Sequence, residues 1–336
     1  MKNLHPLSRQ FCKSRTCQRF VANGTEYELM GKIGDGAAGI VRKAKVISSG
    51  KQVAVKFLAP DPKYIELSAF DEVAQRFKRE GVRGAGLAHD SLVKIFAYED
   101  NEEGSCFERK TVKNPFIVME YIRGCTLESL IRNMSLSNLQ DFYYNKQTLA
   151  IAFNVSRALE YLHRLQIIHR DVKPANIFLS TNSLGRVPSV VKLGDFGVTK
   201  WGDFRAAYAT GSLTVSHQQG LGTLKYMSPE QSVKPKDVTV RSDMFSFGIT
   251  LYELFTGNIL PSPHHVFQIM TARNSRGTVV GKLFSLGVRC PYGEIERLFE
   301  LILDMFLSGA KGRPSSAKAT RFIEVMYSNI FEEYEE

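Results

Sequence analysis

Three runs of alternating polar and apolar residues near the start of the chain constrain its fold more than any other feature. They cover residues 27–32, 40–46 and 52–58, and the turn segment 48–50 joins the last two. A period of two is typical of strands that are buried on one face. The sequence therefore predicts an antiparallel meander of three strands.

Beyond the meander the pattern changes from strand to helix. A helix is predicted over residues 66–87, followed by strands over 92–98 and 115–120. After Gly124, helical spacing predicts one buried stripe, formed by Leu149, Ala152, Phe153, Ser156, Leu159 and Leu162. Residues 244–255 are apolar on almost every side, which predicts a helix buried in a large domain. The fold class is therefore α+β, with a mostly β first half and a mostly helical second half.

The formal charge of +10 is concentrated at the N-terminus. Five basic residues precede the first acid, Glu26, and they are Lys2, Arg9, Lys13, Arg15 and Arg19. The rest of the chain is mildly basic and has no evident cluster of basic and aromatic residues that would stack bases. We therefore predict a disordered basic tail over residues 1–25 and no nucleic-acid partner. An organelle-targeting peptide is the alternative, although its apolar face would be patchy.

The cysteines and the apolar runs indicate the cellular compartment in which the chain is expected. The five cysteines, an odd number without C-x-x-C spacing, are Cys12, Cys17, Cys106, Cys125 and Cys290. This usage argues against a disulfide framework or a zinc site and favours the cytoplasm. Charges interrupt every apolar run well short of the roughly 20 residues that a membrane-spanning helix needs, so no span is predicted.

A glycine pattern lies between the first two predicted strands. Gly34, Gly36, Gly39 and Val41 form G-x-G-x-x-G-x-V. Glycines let backbone amides approach phosphate oxygens, although a plain glycine-rich turn has the same composition. A dinucleotide-binding version requires a helix after the third glycine, whereas residues 40–46 predict a strand. The pattern therefore favours a phosphate-binding hairpin over a dehydrogenase.

Lys56 lies in the third predicted strand, 17 positions after Gly39. Period two puts it on the same face as Ala54. Alone, such a lysine is most simply one that extends to the edge of a sheet. Its place after the glycine hairpin also suits an ammonium that binds ATP phosphates. Glu80, in the predicted helix, is the acid expected to hold it, and Glu72 is the competing acid.

The most specific run in the chain is H-R-D-V-K-P-A-N, residues 169–176. Pro174 and the short apolar run before this segment place it in a loop. The run supplies a carboxylate, Asp171, that can position a hydroxyl group. It also supplies an ammonium, Lys173, that can neutralise a phosphoryl group in transfer.

Two oxygen ligands for a metal follow from the same region. Asn176 offers an amide oxygen, and Asp195 of the D-F-G run offers a carboxylate 19 residues later. Ligands from separate loops suit Mg²⁺, which keeps several waters and is shared with substrate phosphates.

Taken in order, these motifs and the S-P-E run at 228–230 resemble those of eukaryotic-type protein kinases over residues 27–330. The resemblance implies the two-lobed kinase fold, with a small antiparallel β-sheet N-lobe that carries one main helix and a larger, mostly helical C-lobe. The implied boundaries are 26–332 for the domain, 26–119 for the N-lobe, 120–124 for the hinge, 125–332 for the C-lobe and 333–336 for an acidic end.

The resemblance also implies roles that spacing alone does not give. The adenine site would consist of the gatekeeper Met119, backbone groups of Glu120 and Ile122, and the apolar residues Val41, Ala54 and Phe178. Asp243 would brace the H-R-D loop. Glu230 would form a buried ion pair with Arg313, whereas a surface arginine in a turn is the alternative.

Lys173, together with Thr223 ahead of Tyr226, resembles serine/threonine kinases rather than tyrosine kinases. Residues 222–231 are most similar to the eukaryotic-like kinases of bacteria. The resemblance implies ATP and Mg²⁺ (or Mn²⁺) as cofactors. Lys56, locked by Glu80, would hold the phosphates, Asn176 and Asp195 would hold metal, and Asp171 would accept the hydroxyl proton.

The expected partners are protein substrates, and a transient dimer would allow one copy to phosphorylate another. A pseudokinase that binds ATP without transfer is the main alternative, but it usually lacks one of these positions, and all of them are present. A small-molecule kinase is the second alternative, and residues 222–230, which resemble a peptide-receiving segment, argue against it.

Several departures and switches are also expected. Ala37 and Ala38 at the hairpin tip suggest loose closure, and Gly81, Gly84 and Gly86 suggest a mobile helix because glycine weakens helices. Residues 181–189 are predicted to form a surface loop.

Arg170 resembles the arginine that pairs with a phosphorylated activation segment. The candidate phosphorylation sites in that segment are Thr210, Ser212, Thr214 and Ser216, with the last two preferred.

Overall fold

The computed structural model describes residues 19–36, 39–58, 70–100, 115–135, 146–180, 188–195, 200–201, 224–233, 238–257, 259–260, 262–264, 266 and 294–332. The chain forms two compact units. The first contains the described residues up to His89 together with Val93–Tyr121. The second contains Asp90–Leu92 and the described residues from Ile122 onward. Residues 1–18 of the predicted tail lie outside the described ranges.

The first unit is built on a six-stranded antiparallel sheet. Its strands are β1 Arg19–Ala22, β2 Thr25–Gly36, β3 Gly39–Val46, β4 Gln52–Leu58, β5 Ile95–Glu99 and β6 Phe116–Glu120. Their spatial order is β1-β2-β3-β4-β6-β5. The predicted meander corresponds to β2, β3 and β4, so the period of two predicted both the strands and their order.

Strand β1 corrects the expected start of the ordered domain at Glu26. Arg19–Ala22 pairs with β2 through a tight turn in which Asn23 and Gly24 have φ of 45° and 71°. Two left-handed residues are typical of a type I′ hairpin turn. Phe20 is buried and stacks on Tyr27 with ring centroids 5.0 Å apart. The sheet therefore begins within the segment that the sequence assigned to the tail.

The two faces of this sheet have different coverings. One face carries the apolar core cluster of Phe20, Ala22, Tyr27, Leu29, Ala44, Val53, Val55, Phe57, Ala97, Phe116 and Val118. Because side chains alternate along a strand, Ala54 and Lys56 lie on the opposite face of β4 from Val53 and Val55. The predicted site residues of β4 are thus set apart from the core cluster.

Helix α1, Phe70–Gly84, is the main helix of the first unit. It ends three residues before the predicted end at residue 87, and residues 59–69 lie outside the described ranges, so its predicted start stays untested. Among its described residues, the buried ones are Phe77, Glu80, Gly81 and Gly84. They follow i, i+3, i+4, i+7 spacing, which is the pattern of one face of a helix.

The second unit is mostly helical, as predicted. Its helices are α2 Leu127–Ser135, α3 Lys146–Arg164, α4 Pro229–Val233, α5 Val240–Thr256, α6 Glu294–Leu307 and α7 Ser316–Glu332. Thr239 caps the start of α5, and Gly257 ends it in the left-handed conformation, so both ends have recognisable signals. Most of α5 is buried, which confirms the prediction for residues 244–255.

Short strands position the loops of the second unit. They are β7 Cys125–Thr126, β8 Ile167–Ile168, β9 Ile177–Ser180, β10 Val190–Leu193 and β11 Lys200–Trp201. Strand β9 lies between β10 and β7, and β11 pairs with β8. Within the described ranges no helix has both the length and the apolar character required to cross a bilayer.

Candidate active site

The register of the sheet brings several predicted site residues onto one face. Gly34 pairs with Val41, and Val41 pairs with Lys56 across β3 and β4. Ala54 precedes Lys56 by two residues and pairs with Met119 on β6. Directly opposed residues of antiparallel strands share a face, as do residues two apart on one strand. These positions are therefore neighbours.

The glycine hairpin closes between Gly36 and Gly39, which pair with each other at its end. Ala37 and Ala38 at the tip lie outside the described ranges, so the expected looseness of this loop stays a prediction. Among the described residues, the atom nearest to a Cβ placed on Gly34 is Val41 Cβ, at 4.0 Å. The backbone at Gly34 is therefore open to a close approach by a ligand.

Lys56 and Glu80 form a well-defined ion pair. The Lys56 Nζ donates to both carboxylate oxygens of Glu80, at 2.9 Å and 3.0 Å. The side chains are 13% and 3% exposed, and the Phe77 ring centroid lies 6.0 Å from the ammonium. The competing acid, Glu72, has a side chain outside the described part of the chain. The Lys56 ammonium is therefore held by both oxygens of Glu80, and the pair has little access to water.

The predicted adenine-binding residues belong to both units. In the first unit, the Glu120 N–H donates to the Lys94 carbonyl at 2.8 Å, so a ligand would have to use the Glu120 carbonyl. Ile122 and Phe178 belong to the second unit, where Phe178 pairs with Thr126 across β9 and β7.

Residues 169–176 form the loop between β8 and β9, and Pro174–Asn176 is a single 3₁₀ turn. One oxygen of Asp171, Oδ2, takes two contacts, from Lys173 Nζ at 2.8 Å and from Asn176 Nδ2 at 2.8 Å. The same Asn176 nitrogen also donates to the Asp171 backbone carbonyl. The three side chains that the sequence singled out are thus brought together by a short turn.

The Asp171 carboxyl is held largely out of water, with 14% of its side chain exposed. Burial raises the pKa of Asp171 above its ordinary value, and the Lys173 ammonium opposes that increase. The nearby Asp195 carboxylate raises the pKa further, because like charges disfavour ionisation. A base with a raised pKa accepts a proton more readily than an ordinary aspartate.

Asp243, on α5, braces this loop as the resemblance implied. Its carboxylate accepts the backbone N–H of His169 at 2.8 Å, the backbone N–H of Arg170 at 2.7 Å and the side-chain Nε2–H of His163 at 2.9 Å. Burial acts to raise the pKa of Asp243, but the hydrogen bond from His163 and its charge outweigh it, so the pKa is lowered. The carboxylate is therefore an ionised acceptor at the base of the loop.

His169 ties the loop to the segment that carries Asp195. Its Nδ1 lies 3.3 Å from the Asp171 N–H, and its Nε2 lies 3.2 Å from the Gly194 carbonyl. An imidazole that accepts at Nδ1 and donates from Nε2 is neutral, and burial correspondingly lowers the pKa of His169. The Gly194 N–H also donates to the Asn176 carbonyl at 2.9 Å.

The predicted pair between Glu230 and Arg313 is present. Arg313 donates to both carboxylate oxygens, at 2.5 Å and 3.0 Å, and the Ser242 hydroxyl donates to Oε1 at 2.8 Å. Burial acts to raise the pKa of Glu230, but the bonds from Arg313 outweigh it and lower the pKa. The alternative of a surface arginine is wrong, because Arg313 is 3% exposed.

A second buried ion pair anchors the segment before the S-P-E run. Lys225 Nζ lies 2.6 Å from Glu253 Oε1, and the Tyr226 hydroxyl donates to Glu253 Oε2 at 2.6 Å. Lys225 also donates to the Leu260 carbonyl. Burial raises the pKa of Glu253, against the effect of Lys225. This network fixes residues 225–226 on α5.

Comparison with known proteins identifies this arrangement. Residues 27–326 match the protein kinase domain. The chain belongs to the protein kinase family. It is 35% identical over 237 residues to a probable serine/threonine-protein kinase of Streptomyces coelicolor, which covers 69% of this chain and 30% of the relative.

Two further relatives have the same character. Probable serine/threonine-protein kinase PknB of Bifidobacterium longum is 36% identical, over 70% of this chain and 30% of its own length. Serine/threonine-protein kinase PknB of Mycobacterium leprae is 34% identical, over 69% and 32%. The match thus spans about a third of the length of these curated relatives. The resemblance to bacterial Hanks-type kinases, and with it the two-lobed α+β kinase fold, is confirmed.

The oxygen atoms available for a metal fit the ion that this family uses. Because the Asn176 Nδ2 makes both contacts with Asp171, the amide oxygen Oδ1 is the Asn176 atom that can bind a cation. Asp195 adds a carboxylate from a left-handed residue with φ of 64°. Among the described residues no cluster of three His, Cys, Asp or Glu side chains forms a metal cage. An amide and a carboxylate oxygen suit Mg²⁺ or Mn²⁺ shared with phosphates.

Sequence reasoning missed three residues that hold the kinase segments in place. His163 bridges Asp243 and the Ser316 hydroxyl, the latter at 2.9 Å from Nδ1. Lys225 and Glu253 form the buried pair on α5. Glu253 lies inside an apolar helical run, and a charged residue at such a position is a signal of a buried partner that could have revealed it.

Proposed function

We propose that this chain is a serine/threonine protein kinase that transfers the γ-phosphate of ATP to hydroxyl groups of proteins. The arrangement of Asp171, Lys173 and Asn176 carries this proposal. Lys173 Nζ and Asn176 Nδ2 both contact Oδ2 of Asp171. The other oxygen, Oδ1, is the atom that accepts the proton of the incoming hydroxyl, and Lys173 keeps the carboxylate oriented while neutralising developing negative charge.

The lysine pair of the first unit anchors the nucleotide in this proposal. Glu80 fixes the Lys56 ammonium, which binds the α and β phosphates of ATP. Gly34, Gly36 and Gly39 allow backbone N–H groups to approach the phosphates. In the first unit, Val41, Ala54 and Met119 share the sheet face of Lys56 and would contact the adenine, and a backbone group of Glu120 would hydrogen-bond it. The resemblance to protein kinases gives Ile122 and Phe178 of the second unit as further adenine contacts.

Asn176 and Asp195 are the residues that would hold Mg²⁺ or Mn²⁺. The bound metal ion neutralises phosphate charge and orients the phosphate chain. The hydrogen bonds between residues 169–176 and Gly194 keep these two ligands in a fixed relation within the second unit. Positioning of this kind supplies much of the rate enhancement in phosphoryl transfer.

We infer that the acceptor hydroxyl belongs to serine or threonine of a protein substrate. The support is Lys173, two residues after Asp171, and the similarity to relatives named as serine/threonine-protein kinases. We further propose that the reaction takes place in the cytoplasm, on the basis of the cysteine usage. Self-phosphorylation through a transient dimer belongs to the same proposal.

Transfer of labelled phosphate from ATP to a generic basic protein tests the function. The wild type should transfer phosphate in the presence of Mg²⁺, and Lys56→Met and Asp195→Ala should lose at least about 99% of that rate. Lys94→Met, a surface lysine in the same unit, is the matched control and should remain active. ATP binding without transfer by the wild type would identify a pseudokinase instead.

Activation by phosphorylation is a separate part of the proposal. Thr210, Ser212, Thr214 and Ser216 all lie outside the described ranges. Intact mass and peptide mapping after incubation with Mg-ATP should reveal phosphate between residues 196 and 222. The Thr214→Ala/Ser216→Ala variant should lose most of it and most of its activity. A fully active double variant would rule out switching by these two sites and leave the kinase assignment in place.

A further inference from the structure

Helix α1 has one buried face, and it carries two glycines beside Glu80, the acid that pairs with Lys56. Phe77, Glu80, Gly81 and Gly84 form this face, while the other described side chains of α1 are exposed or half-buried. Glu80 is its one charged residue among those described. The position of Glu80 therefore depends on how closely this face packs against the sheet.

Both glycines meet strand β5 at distances that exclude a side chain. A Cβ placed on Gly81 would lie 2.5 Å from Tyr98 Cδ2 and 2.7 Å from Tyr98 Cβ. A Cβ placed on Gly84 would lie 2.5 Å from Ile95 Cδ1. These separations are far below van der Waals contact, so any larger residue requires something to move. Gly86, beyond the helix, has its nearest neighbour at 3.4 Å.

The strand side of this contact has little freedom to adjust. Because the Cβ of Tyr98 itself overlaps a side chain at position 81, rotation of the Tyr98 ring does not relieve the overlap. The Tyr98 hydroxyl donates to Asp100 at 3.0 Å, and Lys78 of α1 pairs with the same carboxylate. The Phe77 ring also packs near the Tyr98 ring, with centroids 6.4 Å apart. Helix α1 would have to move instead.

We propose that Gly81 and Gly84 are positioning residues for the Lys56–Glu80 ion pair, and that their lack of side chains sets the distance between α1 and the sheet. This inference rests on the proposed role of Lys56. Hydrogen bonds of 2.9 Å and 3.0 Å weaken steeply when one partner shifts by an ångström. A side chain at position 81 therefore displaces Glu80, its neighbour along the helix.

The test compares the rate of phosphate transfer at limiting ATP for full-length variants. Gly81→Ala should lower kcat/KM for ATP on the order of ten- to a hundredfold, because a small misplacement of a catalytic group has an effect of this size. Gly86→Ala, whose added Cβ would come no closer than 3.4 Å to another described residue, should remain within about twofold of the wild type. Thermal unfolding of each variant distinguishes displacement of Glu80 from loss of the fold.

A second, independent test adds a methyl group at Gly84 and removes one from Ile95. Gly84→Ala should lower kcat/KM less than Gly81→Ala, since the overlap involves only the end of the Ile95 side chain. Adding Ile95→Val removes that end and leaves the nearest Ile95 atom at 3.6 Å, an ordinary contact. The double variant should therefore recover activity relative to Gly84→Ala. If Gly81→Ala does not fold, this second test still shows whether the glycines position Glu80.

A double-mutant cycle separates positioning from a general structural role. In a Glu80→Gln background, Gly81→Ala should cause no further loss, because the group that it displaces is already impaired. Independent losses in that background, or a Gly81→Ala variant as active as the wild type, would overturn the inference. If the wild type and Gly86→Ala transfer no phosphate, the proposed function fails, and the Lys56–Glu80 distance in a crystal structure of Gly81→Ala still decides the positioning role.

Discussion

Glu80 in the first unit and Asp171 in the second are both nearly buried carboxylates paired with a lysine, but they are held in different ways. Asp171 lies in a loop whose backbone donates hydrogen bonds to Asp243 and whose side chains hydrogen-bond each other. Glu80 lies on a helix that approaches the sheet through two glycines. Asp171 is therefore fixed by polar partners, whereas the position of Glu80 depends on two residues that lack side chains.

This difference indicates which substitutions each unit tolerates. In the loop, loss of one buried acceptor leaves several donors unsatisfied, each at about 1 to 3 kcal/mol. On the helix, two glycines reduce intrinsic helix stability by up to about 1 kcal/mol each relative to alanine. Replacing them with alanine nevertheless creates overlap with β5. The loop should therefore be sensitive to lost polarity and the helix to added size.

Asp243→Ala should have the largest effect. It leaves the buried N–H groups of His169 and Arg170 without their acceptor, so we expect a loss of about 3 to 5 kcal/mol in the free energy of unfolding. We also expect a loss of transfer on the order of a hundredfold. Chemical denaturation and the transfer assay measure both. Glu300→Ala, on the exposed side of α6, is the control, and an Asp243→Ala variant as stable and active as this control would show that the loop does not depend on Asp243.

Arg313→Ala should destabilise the second unit by about 3 to 5 kcal/mol, because the half-buried Glu230 carboxylate loses its bidentate partner. A decrease of about 10 °C in the melting temperature is expected. Lys311→Ala, an exposed position in the same turn, is the matched control. An unchanged melting temperature for Arg313→Ala would mean that the pair contributes little to the fold.

Phe20→Ala should destabilise the first unit by about 3 kcal/mol, because it removes a buried ring that packs on Tyr27 and Phe116. The measurement is thermal unfolding of the full chain. Removal of residues 1–18 should leave both unfolding and transfer unchanged, whereas removal of residues 1–22 should resemble Phe20→Ala. Full stability after the longer deletion would show that β1 is dispensable to the sheet.

The smallest effect concerns pH. The pKa of Glu230 is lowered below its ordinary value of 4.5 in the fold, so its ion pair contributes full stability above that value and loses it as pH falls below. The difference in unfolding free energy between the wild type and Glu230→Gln should therefore shrink as the solution is acidified below pH 4.5. A difference that is independent of pH would contradict the depressed pKa.

Much of the fold follows from local patterns in the sequence. The alternation that predicted β2, β3 and β4 reflects one-sided burial, and the apolar run at residues 244–255 reflects a helix buried on nearly all sides. Strand β1 was missed because four residues give too short a period. The Asn23–Gly24 pair, typical of a hairpin turn, was the available signal.

The site was predictable to a different degree. Motif spacing singled out Lys56, Glu80, Asp171 and Asn176. It thereby predicted the Lys56–Glu80 pair in the first unit and placed Asp171 and Asn176 in one loop of the second. The sequence suggested only that Gly81 and Gly84 weaken the helix, because a sequence does not show which strand a helix approaches. Lys225 and Glu253 are 28 residues apart, and their pairing depends on tertiary packing.

Asp171→Asn tests whether Asp171 is the base for phosphate transfer. Asparagine keeps the shape of the side chain and an oxygen for Lys173, so calorimetric ATP binding should stay within a few-fold of the wild type. Transfer from labelled ATP should decrease on the order of a thousandfold, because the proton acceptor is lost. Transfer within about tenfold of the wild type, with binding intact, would contradict the account.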